Sequence, residues 1–189
     1  RKQELEATGK IVLSFQDYQS VVSCANALSE HPIVAKVLEL PGQCEHVHLW
    51  RDKISDLQCK FRADKIVADK KLLLDVKTSN DSTVNAFSNA AAKFGYYLQA
   101  AHYIEGAADM TKTNRDEWQF VFAVVRTQMP FDAFAFQFDE DSMQFAFSQR
   151  ERLLAEMHVD YVKNDFKSIG ETSLTTISLP NWILQENNE

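Results

Sequence analysis

The sequence predicts an α/β domain in which a mixed central sheet is flanked by helices. Three patterns carry that expectation. Apolar residues recur at spacings of three and four over about the first 40 positions, the period changes to two near residue 45, and helical spacing returns from Asp139 to about Lys163. The chain has 189 residues, 45% of them apolar or aromatic, with 13 Phe, 5 Tyr and 3 Trp, which is enough for one core in a single domain spanning residues 1–189. That composition excludes disorder, and 5 Gly with 4 Pro exclude a collagen-like or linker-like chain.

Taken in order, Tyr18, Val21, Val22, Ala25 and Leu28 share one helical face. His31-Pro32 ends that helix and starts another, with Pro32 suited to a first helical position; Val34, Val37 and Leu38 continue the stripe until Pro41-Gly42. Glu45 to Trp50 alternates as a strand. A polar turn over residues 51–56 precedes a second strand, in which Leu57, Cys59, Phe61 and Ala63 alternate with Gln58, Lys60, Arg62 and Asp64. After a turn at residues 68–71, the apolar run Leu72-Leu73-Leu74 leads through Asp75-Val76-Lys77 as a central strand, and the three strands form a meander. Capping residues at 78–82 start a long helix expected to run to Gly106, read as its C-terminal stop. A polar loop over residues 107–116 is expected next. Strands over 118–125 and 131–138 follow, then the last helix and a tail with Leu179-Pro180 and Trp182 expected to dock or form an interface.

Twenty basic against 27 acidic residues give a net charge of −7, which disfavours a generic nucleic-acid coat but leaves room for a locally basic groove. Cys24, Cys44 and Cys59 are odd in number and lack C-x-x-C spacing, so reduced thiols in a cytoplasmic protein are expected and a zinc site is disfavoured. No apolar run approaches the ~18 residues of a membrane span, so no membrane partner is expected. Nothing apolar follows Arg1-Lys2-Gln3-Glu4, so no signal peptide is expected; the first residue is not Met, and the domain is expected to lack an upstream N-terminal segment.

One constellation carries chemistry. Asp64 closes the second strand on its polar face and Asp75 ends the third, so neighbouring antiparallel strands can bring two carboxylates onto one divalent cation. Lys77, two residues past Asp75, leaves the same strand face and adds a positive charge beside a scissile phosphate. On the following helix Gln99 and Tyr103 are four apart and share a face. From spacing alone, the three charged residues fit a salt-bridge cluster at strand ends equally well, and Gln99 and Tyr103 fit helix packing.

Arg62-Ala63-Asp64-Lys65-Ile66, Leu74-Asp75-Val76-Lys77-Thr78 and Gln99-Ala100-Ala101-His102-Tyr103 together resemble the PD-(D/E)XK nuclease core, a restriction-endonuclease-like fold. More closely they resemble the RecE-type exonucleases of prophage recombination (exodeoxyribonuclease VIII-like), distant relatives of lambda exonuclease. The likeness extends to Gly42 through Trp50, Asp52, and the tail Thr176 to Trp182. It implies a Mg²⁺-dependent exonuclease, with Mn²⁺ a substitute, that degrades one strand of double-stranded DNA from its end in the 5′ to 3′ direction. It also implies transfer of the product to a RecT-like annealing protein, and a ring-shaped homo-oligomer. By the same likeness Asp64 and Asp75 ligate the metal with the Val76 carbonyl, Lys77 assists the nucleophile, and Gln99 and Tyr103 complete the site. The family also places a metal-binding His in a G-x-x-x-H helix, which residues 1–44 do not contain; either that segment precedes Arg1 or the protein lacks it.

Bland readings are expected elsewhere. Glu45 faces water, His46 and His48 lie on an exposed strand face without further zinc ligands, and Tyr96 and Tyr97 belong to the core or an interface. Two rival functions stand beside the exonuclease: an endonucleolytic or single-strand-specific nuclease on the same core, and a catalytically silent module that binds DNA ends.

Overall fold

The computed structural model describes residues 11–81, 83–166, 174 and 176–178. The predicted tail contacts of Leu179, Pro180 and Trp182 lie outside them. The elements are α1 (Phe15–Glu30), α2 (Pro32–Glu39), β1 (Gln43–Arg51), β2 (Gln58–Val67), β3 (Leu72–Ser79), α3 (Val84–Phe94), α4 (Tyr96–Thr111), β4 (Gln119–Arg126), β5 (Ala133–Phe136) and α5 (Glu140–Lys163). The expected mixed α/β architecture is therefore observed. Among the described residues no helix is long and apolar enough to cross a membrane.

The sheet order is β1-β2-β3-β4-β5. β1, β2 and β3 form the predicted antiparallel meander, β4 runs parallel to β3, and β5 returns antiparallel. A parallel pair needs a long crossover, supplied by α3 and α4. Each face of the sheet carries a core. On one face Val34 and Val37 of α2 meet Val67, Leu72, Leu74, Val121 and Ala123. On the other, Phe61, Ala63, Leu73, Phe120 and Phe122 pack under Phe87, Ala100, Ala101, Ile104 and Phe147 of α3, α4 and α5. Pro32 begins α2, whose first turn is capped by the His31 ring, and Asp139 caps α5 by accepting from the Ser142 amide.

Two expectations are corrected here. The single helix expected up to Gly106 is two helices, broken at Gly95, which adopts φ +69°. The apolar spacing of Phe87, Phe94, Tyr97 and Leu98 continues through the break, so periodicity alone hides it. Gly106 is no stop: α4 runs on to Thr111 and absorbs much of the expected loop at 107–116, whose end is a short 3₁₀ turn at Arg115–Glu117. Gly106 is there because α4 crosses the aromatic floor closely. A Cβ at 106 would sit 2.5 Å from Phe61 Cδ1 and 2.7 Å from Trp50 Cζ3.

The β1–β2 turn is tied to α5 by a buried ion pair. Asp52 Oδ1 accepts from the Ser55 amide and hydroxyl, and Arg150 Nη2 donates to Asp52 Oδ2 at 2.7 Å. Burial alone would raise the Asp52 pKa, but the Ser55 and Arg150 hydrogen bonds hold it at about 2. The fold thus favours the ionised carboxylate. That stabilisation is full above the ordinary carboxylate range near 4 and is lost as pH falls toward 2.

Two outcomes follow for urea unfolding. Gly106→Ala costs about 1–3 kcal/mol in overpacking against about 1 kcal/mol returned in helix propensity; it unfolds at lower urea than the parent, and an equal or higher midpoint contradicts the close crossing. Between pH 4 and pH 2 the parent loses stability more steeply than Asp52→Asn, and parallel losses would remove Asp52 as the acid-sensitive group.

Candidate active site

The site forms where two strands part. β2 pairs with β3 over only three positions, ending at Lys65 opposite Leu74, while β3 stays paired with β4 as far as Ser79. One step beyond the last β2–β3 pair stand Asp64 and Asp75. Val76 has no ladder neighbour on that side, and its N–H donates instead to Asp64 Oδ2 at 2.7 Å. In a strand the N–H and C=O of one residue leave on the same edge, so the Val76 carbonyl opens into the same gap.

The orientation of Asp64 departs from simple alternation. Cys59, Phe61, Ala63 and Ile66 all belong to the core under α4, whereas Val67 belongs to the opposite core and Lys65 donates to the Leu38 carbonyl of α2 at 2.5 Å. The alternation slips by one between Ala63 and Ile66. At the same level on β1, Glu45 adopts φ +52°. Asp64 is thereby turned from the outer face, where alternation with Lys60 and Arg62 puts it, toward β3.

Asp75 is the centre of the cluster. It is 5% exposed. Gln99 Nε2 donates to its Oδ1 at 2.6 Å, and Lys77 Nζ stands 2.6 Å from its Oδ2. The ammonium approaches out of hydrogen-bond alignment, so Oδ2 is a buried acceptor with no hydrogen bond. Burial pushes the Asp75 pKa above the ordinary carboxylate range; Lys77 opposes this, the nearby Asp64 charge adds to it, and the Gln99 hydrogen bond opposes it. Lys77 itself lies over the Tyr96 ring, 4.7 Å from its centroid. A cavity of about 370 Å³ opens beside it, lined by Lys77, Thr78, Phe94, Tyr96 and Thr127 among others.

The structure thus brings Asp64, Asp75, Val76, Lys77 and Gln99 together. Tyr103 stands one helical turn beyond Gln99, where its ring packs 5.4 Å from Phe61 and 6.0 Å from Phe120. Tyr96, expected only in the core or an interface, is also a neighbour of Lys77. The break at Gly95 positions it, and no local pattern announces that. Glu45 is exposed and pairs with Arg62 at 3.2 Å, as a water-facing residue should. His46 and His48 are half-buried rather than exposed: both rings lie near Phe61 of β2, and α4, running past Gly106, brings Asp109 Oδ2 to 3.2 Å from His48 Nε2.

The donor set suits a hard divalent cation: two carboxylates and a carbonyl, with a buried Asp75 oxygen lacking a hydrogen bond. Among the described residues no group of three or more His, Cys, Asp or Glu is placed to hold a metal, so water molecules would complete the coordination. Without a cation, the raised Asp75 pKa means that the fold favours the neutral carboxyl. This contribution to stability is full at low pH and is lost as pH rises through the folded pKa. Asp75→Asn, which mimics the neutral acid, is therefore expected to melt at a higher temperature than the parent at pH 7 in EDTA. A lower melting temperature would contradict the frustrated charge.

Comparison with known proteins bears on these features. The family described as "PDDEXK-like domain of unknown function (DUF3799)" matches residues 2–168. The crystal structure of a protein from Eubacterium rectale, named "Putative exonuclease", superposes with a TM-score of 0.65 at 13% identity, covering 97% of this chain and 71% of that one. At that identity the likeness speaks for the fold. No curated protein matches the chain at a significant level. With the match running over most of its length, the chain belongs to this family of PDDEXK-like domains.

Proposed function

We propose that this domain hydrolyses phosphodiester bonds in DNA, with a divalent cation held by Asp64, Asp75 and the Val76 carbonyl. The observation that carries the reading is the buried Asp75, shared between Gln99 and Lys77 and facing Asp64 where β2 and β3 separate. A bound cation supplies a water of lowered pKa and offsets charge on the phosphate. Gln99 fixes the Asp75 carboxylate by donating to Oδ1. Asp64 fixes the edge of β3 by accepting the Val76 N–H. Lys77 holds an ammonium group, steadied by the Tyr96 ring, beside the position of the scissile phosphate, where it stabilises the negative charge that develops during attack. Tyr103 borders the strand being cut.

The finer reading is a RecE-type exonuclease. It degrades one strand of linear duplex DNA in the 5′ to 3′ direction with Mg²⁺, acts in the cytoplasm as a ring of identical copies, and passes its product to a RecT-like annealing protein. The three sequence motifs support this reading, as does the word exonuclease attached to the Eubacterium rectale relative.

The test is digestion of linear duplex and closed circular DNA with Mg²⁺. The expected result is mononucleotide release from linear ends, intact circles, and complete loss of activity in EDTA. Lys77→Ala lowers the rate by at least about 10²–10³-fold in a protein that is still folded at the assay temperature, although loss of the partner of buried Asp75 lowers its melting temperature. Cut circles would overturn the exonuclease reading. DNA that is bound but left intact would overturn hydrolysis altogether.

A further inference from the structure

β1 stands at one edge of the sheet, with β2 as its neighbour on the other side. Among the described residues no other element bonds to its backbone, so its outer row of N–H and C=O groups is open. Edge strands are ordinarily kept from pairing by brevity, Pro, Lys or a bulge. The opposite edge, β5, is four residues long. β1 has nine, none of them Pro or Lys. Its distortion at Glu45 lies near the start and leaves His46 to Arg51 as a regular run paired with β2.

The side chains along this edge are also unusual for a surface. Residues 45, 47, 49 and 51 share one face of the strand. Val47 and Leu49 are 50% and 56% exposed there, because α2 packs farther along the sheet, on Val67, Leu72 and Leu74. Arg62 and Lys60 stand beside them on β2. Glu45 and Arg51 flank the apolar pair. Their ion partners, Arg62 and Asp56, form surface pairs that hold weakly and leave both side chains more than half exposed.

We propose that β1 pairs antiparallel with β1 of a second copy of this chain, about a two-fold axis through His48. The strand is complementary to itself in that register. Glu45 faces Arg51 of the copy, Val47 faces Leu49, and His48 faces His48. The four apolar side chains then meet in the middle, with an opposite-charge pair at each end, the combinations that stabilise neighbouring strands. Moving the axis to Val47 sets Glu45 against Leu49, and moving it to Leu49 sets Arg51 against Val47. A second copy therefore satisfies the open backbone row, the exposed apolar pair and both charges together. The contact is isologous and joins copies in twos, whatever larger ring those pairs build. It does not depend on the proposed nuclease activity.

Two experiments on the full chain test this. In sedimentation velocity at micromolar concentration, Glu45→Arg and Arg51→Glu each halve the mass of the parent assembly and weaken pairing about tenfold or more. The double variant Glu45→Arg/Arg51→Glu restores it. The register is read by cross-linking in a Cys44→Ser background, since Cys44 is an exposed free thiol. Directly opposed residues of antiparallel strands stand close enough for a disulfide. Val47→Cys mixed with Leu49→Cys is expected to give a cross-linked pair on oxidation, and neither alone does. All four positions are exposed, so the variants keep the fold, which circular dichroism checks. A parent that sediments as a monomer overturns the proposal and leaves this edge to an extended segment of a different protein. An assembly unchanged in Glu45→Arg and Arg51→Glu, or no cross-link in the mixture, overturns it as well. Cross-linking within either single variant would overturn the register.

Discussion

Ionising Asp75 puts a negative charge where the fold gives little water to hold it. Its carboxylate is buried at the end of the central strand, one oxygen held by the Gln99 amide and the other set against the Lys77 ammonium without an aligned hydrogen bond. A second carboxylate, Asp64, faces it across the gap and worsens the balance. Buried charge of this kind is costly unless it is compensated. Ordinary packing would replace such a group; a site that receives a cation from solvent needs it. Perturbed carboxylates cluster at functional sites for this reason.

The rest of the fold serves that junction. β3 is buried because helices cover both faces of the sheet, so Leu72, Leu73 and Leu74 bring the chain into the interior just before Asp75. The early end of the β2–β3 ladder opens the sheet at that level, and Asp64 replaces the missing backbone acceptor for Val76. Gly95 divides the crossover into two helices, which lets Tyr96 cover Lys77 and Gln99 reach Asp75 from the start of α4. Gly106 lets α4 lie close on Trp50 and Phe61. The Asp52–Arg150–His102 chain then ties β1, α4 and α5 into one wall around the open edge of β2.

Much of this was legible in the residue order. The alternation and length of the apolar runs marked the strands and the flanking helices. The resemblance of the three motifs to the PD-(D/E)XK core marked Asp64, Asp75, Lys77 and Gln99 as one group, whereas periodicity by itself put only Asp75 and Lys77 on a common strand face and left Asp64 on the outer one. What stayed hidden depends on contacts across the fold. The slip in alternation between Ala63 and Ile66 comes from the distortion shared with Glu45 on β1. The glycine roles were interchanged: Gly95 looked interior and Gly106 terminal, since periodicity does not register whether aromatic rings crowd a position. The Asp52–Arg150 pair joins residues 98 apart, which no local pattern reports.

The most direct measurement is diffraction from crystals soaked in Mn²⁺, recorded for anomalous scattering. The account predicts a single strong peak between β2 and β3, bonded to Asp64, Asp75 and the Val76 carbonyl at about 2.0–2.2 Å, with Lys77 withdrawn from Asp75 Oδ2. A peak elsewhere on the molecule, or none while Lys77 keeps its place on Asp75, would contradict it.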